Sequence, residues 1–189
     1  IGMVFQEANL LPWRNLDANI NFPFEIKHTQ PDRNWIAQLV HRVGLDGFGA
    51  RMPRELSGGM QQRAALVRAL SFKPSVLLMD EPFGALDAFT REEMNHLVEE
   101  IYLDTKTTIV LITHSIDEAI FLSDRVIVMS ARPGRVAKEY QVPFPRPRSL
   151  EIMTTKDVFD LTNAIKLDIV GEQKSMATGA QRPVQQAAQ

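Results

Sequence analysis

The chain has 189 residues, 44% of them hydrophobic, a formal charge of -2 and no cysteine. That is enough chain for one domain with a substantial core, and it excludes disulfide frameworks, thiolate metal sites and cysteine nucleophiles. Lys and Arg are spread along the chain, so no basic footprint points to nucleic acid, and the apolar runs fall far short of the roughly 20 residues that span a bilayer, so membrane contact is expected only through another protein.

Residues 1–5 form a short apolar run compatible with a buried strand, with neither a starting Met nor the basic and apolar segments of a secretion signal. They read as a strand entered partway through a fold. Residues 7–27 are expected to be loop plus a short helix, because Pro12 and Pro23 interrupt any long periodic element. Asp32 is placed to cap a helix with Trp35, Ile36, Leu39, Val40 and Val43 on one face and Gly44 at its end. Ser57, Gly58 and Gly59 open a strong helix over residues 60–70, and Pro74 follows it.

Residues 76–79, 108–113 and 125–130 are β-branched apolar runs, the first two separated by a helix over residues 90–104 that Thr90 and Glu93 would cap. Ser115 and Glu118 make a second such box, opening a helix through Leu122. Strand and helix alternate as in a parallel sheet flanked by helices. Residues 143–149 read as a Pro and Arg linker, residues 149–170 as a C-terminal helical segment, and the Gln- and Ala-rich tail 171–189 as disordered.

The chemistry concentrates at strand ends. The strand Val76, Leu77, Leu78, Met79 delivers Asp80 and Glu81 to its carboxyl end, where open α/β sheets bind ligands. Nucleotide hydrolysis needs a divalent metal on the phosphates and a carboxylate to orient water, so Asp80 reads as the Mg²⁺ partner and Glu81 as the catalytic base. Taken alone, the pair is equally well a solvated acidic turn before Pro82. Leu56, Ser57, Gly58, Gly59, Met60 and Gln61 open a helix whose free amides and dipole suit an anion, though an ordinary serine cap explains those residues as simply. His114 follows a strand and could contact a terminal phosphate. Gln6 also follows a strand, with an amide able to reach a metal and a water. Asp87 is most simply a helix cap.

The joint order decides between these readings. Gln6, then residues 56–61, then Asp80 and Glu81, then Asp87, then His114, with the strings LSGGMQQRAALVRAL and VLLMDEPFGALD, closely resembles the ABC transporter ATPases over residues 1–148. The resemblance implies a P-loop NTPase-like α/β fold with a helical subdomain over about residues 7–72, and a dimer that sandwiches ATP between subunits. It implies that Glu81 and His114 act in catalysis and that Asp80 and Gln6 serve Mg²⁺. Ser57, Gly58, Gly59 and Gln61 would address the partner subunit's ATP, and Asp87 would link the two sites. Leu10, Leu11, Pro12, Trp13 and Arg14 would form the docking surface for a membrane permease. The expected location is the cytoplasmic face of the cell membrane, with a solute-binding protein as an indirect partner.

Two departures from the family pattern stand out. Ser115 replaces a frequent acidic residue, and no G-x-x-x-x-G-K-[ST] occurs in the 189 residues, so the first strands and phosphate loop are expected to be missing and this chain alone to bind ATP poorly. QEANLLPWRNLDANI, MSARPGRV and PFPRPRS are similar to importers of nitrate, sulfonates, taurine and related anions. The alternatives are a non-catalytic interaction module or a non-transport ABC ATPase. The long coiled-coil arms of a DNA-repair relative would need heptads that residues 7–55 do not carry.

Overall fold

The structure, a computed structural model, describes residues 1–84, 86–130 and 134–179. Ala85, residues 131–133 within MSARPGRV, and residues 180–189 of the expected tail lie outside the described residues. The chain divides into two compact units, Ile1–Ser115 and Ile116–Gln189.

In the first unit, β1 (Gly2–Val4), β2 (Val76–Asp80) and β3 (Thr108–Ile112) form a parallel sheet in that order. Met3, Leu78 and Val110 stand side by side across it. Val4, Leu77 and Met79 alternate onto the buried face. Between β1 and β2 lie α1 (Leu16–Lys27), α2 (Arg33–Arg42), a short 3-10 turn and α3 (Gly58–Leu70), while α4 (Ala88–Thr105) connects β2 to β3. This is the expected α/β architecture, with long crossovers joining parallel strands.

Two local expectations change and one holds. Helix α1 is a full 12 residues with Pro23 inside it. An interior proline costs about 3 kcal/mol, but burial of Leu16, Ile20 and Phe24 offsets that at roughly 1.5–3 kcal/mol each, and Asn15 caps the start. Helix α4 is capped by Asp87 rather than by Thr90 and starts at Ala88, the Asp87 carboxylate accepting from both the amide and the hydroxyl of Thr90. Helix α2 keeps its Asp32 cap.

The second unit contains α5 (Ile116–Leu122), the antiparallel pair β4 (Arg125–Met129) and β5 (Val136–Gln141), α6 (Leu150–Met153) and α7 (Lys156–Gly179). Ile120, Val126, Val128, Val142, Val158 and Ile165 form its core. Strand β4 therefore pairs with β5 in a second sheet instead of extending the parallel one. The Pro and Arg stretch is no linker. Arg148, 2% exposed, donates to the carbonyls of Ile120, Phe121, Ser123 and Phe144. Arg146 adds bonds to Asp124 and the Leu122 carbonyl. Helix α7 also runs to Gly179, past the expected end at Val170, because Glu172, Gln173, Lys174, Met176 and Ala177 are good helix formers.

Candidate functional site

Parallel strands point their carboxyl ends to one edge, and the register does the same for the side chains that follow them. Val4 pairs with Met79, and Asp80 with Ile112, so Gln6, Asp80, Glu81 and His114 emerge together. The Glu81 amide donates to the Ile112 carbonyl at 2.8 Å, tying the residue after β2 to the end of β3. Glu81 has φ +45°, a left-handed conformation uncommon for a side chain of this kind. Such backbone costs on the order of 1–3 kcal/mol and survives where surrounding bonds determine it. Here the Ile112 carbonyl holds Glu81 on one side and the Gly84 amide donates to the Glu81 carbonyl on the other.

The side chain of Glu81 is thereby turned toward His114, whose Nε2 lies 2.6 Å from Oε1. The imidazole is 87% exposed and the carboxylate 24% exposed, so the pair sits at a surface that an incoming ligand can reach. Oε2 of Glu81 bonds nothing among the described residues, which leaves one carboxylate oxygen oriented and the other open to a water. Gln6 shares the spot: a Cβ on Gly84 would lie 3.8 Å from Gln6 Nε2 and 3.9 Å from Glu81 Oε2.

The Asp80 carboxylate has no hydrogen bond or ion pair among the described residues, although the residue is partly buried. An unpaired carboxylate oxygen is the kind of donor that a hard divalent cation takes. No group of three or more His, Asp or Glu able to hold a metal occurs among the described residues.

Ser57 caps α3, its hydroxyl accepting from the Met60 amide at 3.2 Å. Ser57 and Gly58 are exposed, and a Cβ on Gly58 would meet nothing within 4 Å, so the fold of this chain makes no demand for glycine there. Gly59 differs: its Cβ would come within 3.3 Å of Thr90 Cγ2, so the helix entry packs tightly on the start of α4. Gln61 turns its amide nitrogen back to the carbonyls of Pro53 and Leu56, bracing the turn before the helix. Asp87 is spent as the α4 cap, and the Thr90 backbone amide, then the Thr90 hydroxyl, hold its carboxyl below the usual range.

Gln6 and Gly58 line a common open groove of about 450 Å³, together with Asn9, Gln61, Pro82 and Leu86. A groove of about 510 Å³ at the opposite, amino ends of β2 and β3 contains none of the site residues. Position at the strand carboxyl ends favours the former as the functional one.

Three residues escaped the sequence reading. Asn19 is fully buried in α1; its side chain accepts from the Leu11 amide and donates to the carbonyls of Leu11, Arg14 and Asn15, fixing the loop that presents Trp13, 71% exposed. Gln62 and Arg68 of α3 bond the main chain on either side of Gln6. Their signal was polarity beside the buried run Ala64, Ala65, Leu66 and Val67.

Among known proteins, residues 1–84 match the family model described as ABC transporter. The aliphatic sulfonates import ATP-binding protein SsuB 1 of Pseudomonas aeruginosa is 45% identical over 148 residues, 78% of this chain and 58% of that protein. The taurine import ATP-binding protein TauB of Pelagibacter ubique is 48% identical over 145 residues, 76% of this chain and 55% of that protein. The chain thus spans little more than half the length of these relatives. A solved dimeric bacterial ABC transporter cassette superposes with TM-score 0.66 at 32% identity, over 77% of this chain and 64% of that one.

Proposed function

The chain belongs to the ABC transporter ATP-binding family, and from that premise we propose that the protein containing it is the ATP-hydrolysing subunit of an importer for a small anion of the sulfonate or taurine class. The cargo class rests on the SsuB and TauB relatives, since no residue here reads a cargo. Residues 1–148 belong to the ATPase domain in this reading.

The observation that carries the catalytic part is the Glu81–His114 pair, 2.6 Å apart beside the unpaired Asp80. Glu81 orients the attacking water through Oε2 and takes its proton, while His114 holds Oε1 and meets the terminal phosphate. Asp80 would hold Mg²⁺ by an oxygen, with Gln6 serving it through water, and the ion when bound would supply neutralising charge for the phosphates. Ser57, Gly58 and the free amides at the start of α3 face outward to the nucleotide of a second copy. Gln61 braces that segment, and Asp87, at the head of α4, links it to the acidic edge.

The loop of Leu10, Leu11, Pro12, Trp13 and Arg14 docks the membrane permease, with a solute-binding protein acting through the permease. The protein works at the cytoplasmic face of the cell membrane; no described helix is long and apolar enough to cross one. In the full-length protein, Glu81→Gln should still bind fluorescent ATP with Mg²⁺ and lose hydrolysis by about 10²–10⁴-fold. Turnover at the unmodified rate would remove Glu81 from the reaction.

A further inference from the structure

We propose that Arg68, assisted by Gln62, is a positioning residue that fixes the main chain through Gln6 to the helix that Ser57 opens. The inference rests on the ATPase reading above and adds to it a residue that contacts neither nucleotide nor metal. Gln62, 4% exposed, donates from Nε2 to the Phe5 carbonyl at 2.8 Å. Arg68 donates from one guanidinium nitrogen to the Asn9 carbonyl at 2.8 Å and from the other to the Ala8 carbonyl at 3.0 Å. The backbone is therefore pinned immediately before Gln6 and again two and three residues after it. The Gln6 side chain stays exposed, free to meet a ligand.

The chemistry of the clamp is specific. Asn9 has φ +46°, a left-handed turn that directs successive carbonyls toward α3. A planar guanidinium spans two such acceptors with separate nitrogens, which the single ammonium of lysine does not reproduce. Arg68 has no carboxylate partner among the described residues, and both hydrogen bonds of its guanidinium go to this loop. Burial also pulls its pKa below the ordinary arginine value, a cost accepted for the contact.

A merely structural tie and a positioning role make different predictions. If the tie only holds the fold, Arg68→Met lowers stability while folded molecules turn over normally. If it positions Gln6, folded Arg68→Met protein loses kcat, and the loss depends on the Gln6 amide being present.

The test is a double-mutant cycle in the full-length protein, measuring kcat and KM for Mg-ATP in Arg68→Met, Gln6→Ala and the double variant. Urea unfolding confirms that each is folded. Arg68→Met should lower kcat by about 10–100-fold, the scale of a misplaced reacting group. The same change should have little further effect in the Gln6→Ala background. Arg68→Lys should fall between, and it replaces Arg68→Met in the cycle if that variant does not fold. An equal loss in both backgrounds, or unchanged kcat in folded protein, overturns the inference while leaving the ATPase reading intact. Absence of hydrolysis by the unmodified protein overturns both.

Discussion

Two clusters of polar side chains, one in each compact unit, use their hydrogen-bonding capacity in opposite ways. Arg148 in the second unit is buried and gives its guanidinium to four backbone carbonyls, with Arg146 completing the corner. At the carboxyl edge of the parallel sheet, Asp80 has no partner among the described residues and His114 reaches an exposed position to hold one oxygen of Glu81. A buried polar group must be satisfied by the fold itself, whereas a group that will meet a ligand has to keep a bond unmade. The first cluster closes a structure; the second, in the proposed reading, is left open for a ligand.

Variants can break that contrast. The largest expected effect on stability is at Arg148→Met, which strips donors from several buried carbonyls, each worth about 1–3 kcal/mol when left unpaired. A loss of about 3 kcal/mol or more is expected from urea unfolding, and near-wild-type stability would show the corner to be redundant. Asp80→Asn should do the reverse. Stability should stay within about 0.5 kcal/mol while Mg²⁺-dependent hydrolysis collapses, and a large stability loss would mean that Asp80 has a structural partner after all.

Gly58 and Gly59 sharpen the contrast between neighbours. Gly58→Ala has space and a helical position, so stability should rise by up to about 1 kcal/mol, yet under the proposed dimer hydrolysis should fall, because the new methyl would meet a nucleotide held by the other subunit. Gly59→Ala needs Thr90 Cγ2 to give by a few tenths of an ångström and should gain less stability than Gly58→Ala. Equal stability for the two variants would contradict the packing.

The smallest effect concerns acid. Asp87 has a folded pKa below its ordinary value of 3.8. Its contribution is therefore complete above that value and is lost as pH falls through the lower folded pKa. Asp87→Asn should flatten the acid limb of the thermal midpoint measured against pH; an unaltered limb would remove Asp87 from it.

How much of this was legible in the sequence follows from the kind of interaction. Gln6, Ser57, Asp80, Glu81 and His114 were readable because strand ends and a glycine-led helix are local patterns, and the register then brings four of them to one edge. Gln62 and Arg68 were not, because each acts on backbone carbonyls distant in sequence, up to 60 positions for Arg68, and Asn19 was not, because its residue type does not mark an amide buried against the carbonyls of Leu11, Arg14 and Asn15. Strand β5 escaped since Val136, Ala137, Lys138 and Glu139 are all exposed and show no apolar alternation. Residues 143–149 looked like a linker because composition does not reveal that Arg148 is buried among carbonyls. The Glu81 φ angle was equally invisible, since nothing in the residue type marks it.

In the proposed ATPase the acidic edge of one subunit works with the Ser57 edge of another. Mixing full-length Ser57→Arg with Glu81→Gln tests it most directly, because each variant alone lacks one half of every site. A heterodimer should assemble one intact site from the unaltered Glu81 of one chain and the unaltered Ser57 of the other, so hydrolysis in the mixture should rise well above either variant alone. No recovery at any mixing ratio, with dimers demonstrably exchanging subunits, would contradict the account and place both residues at the same nucleotide within one chain.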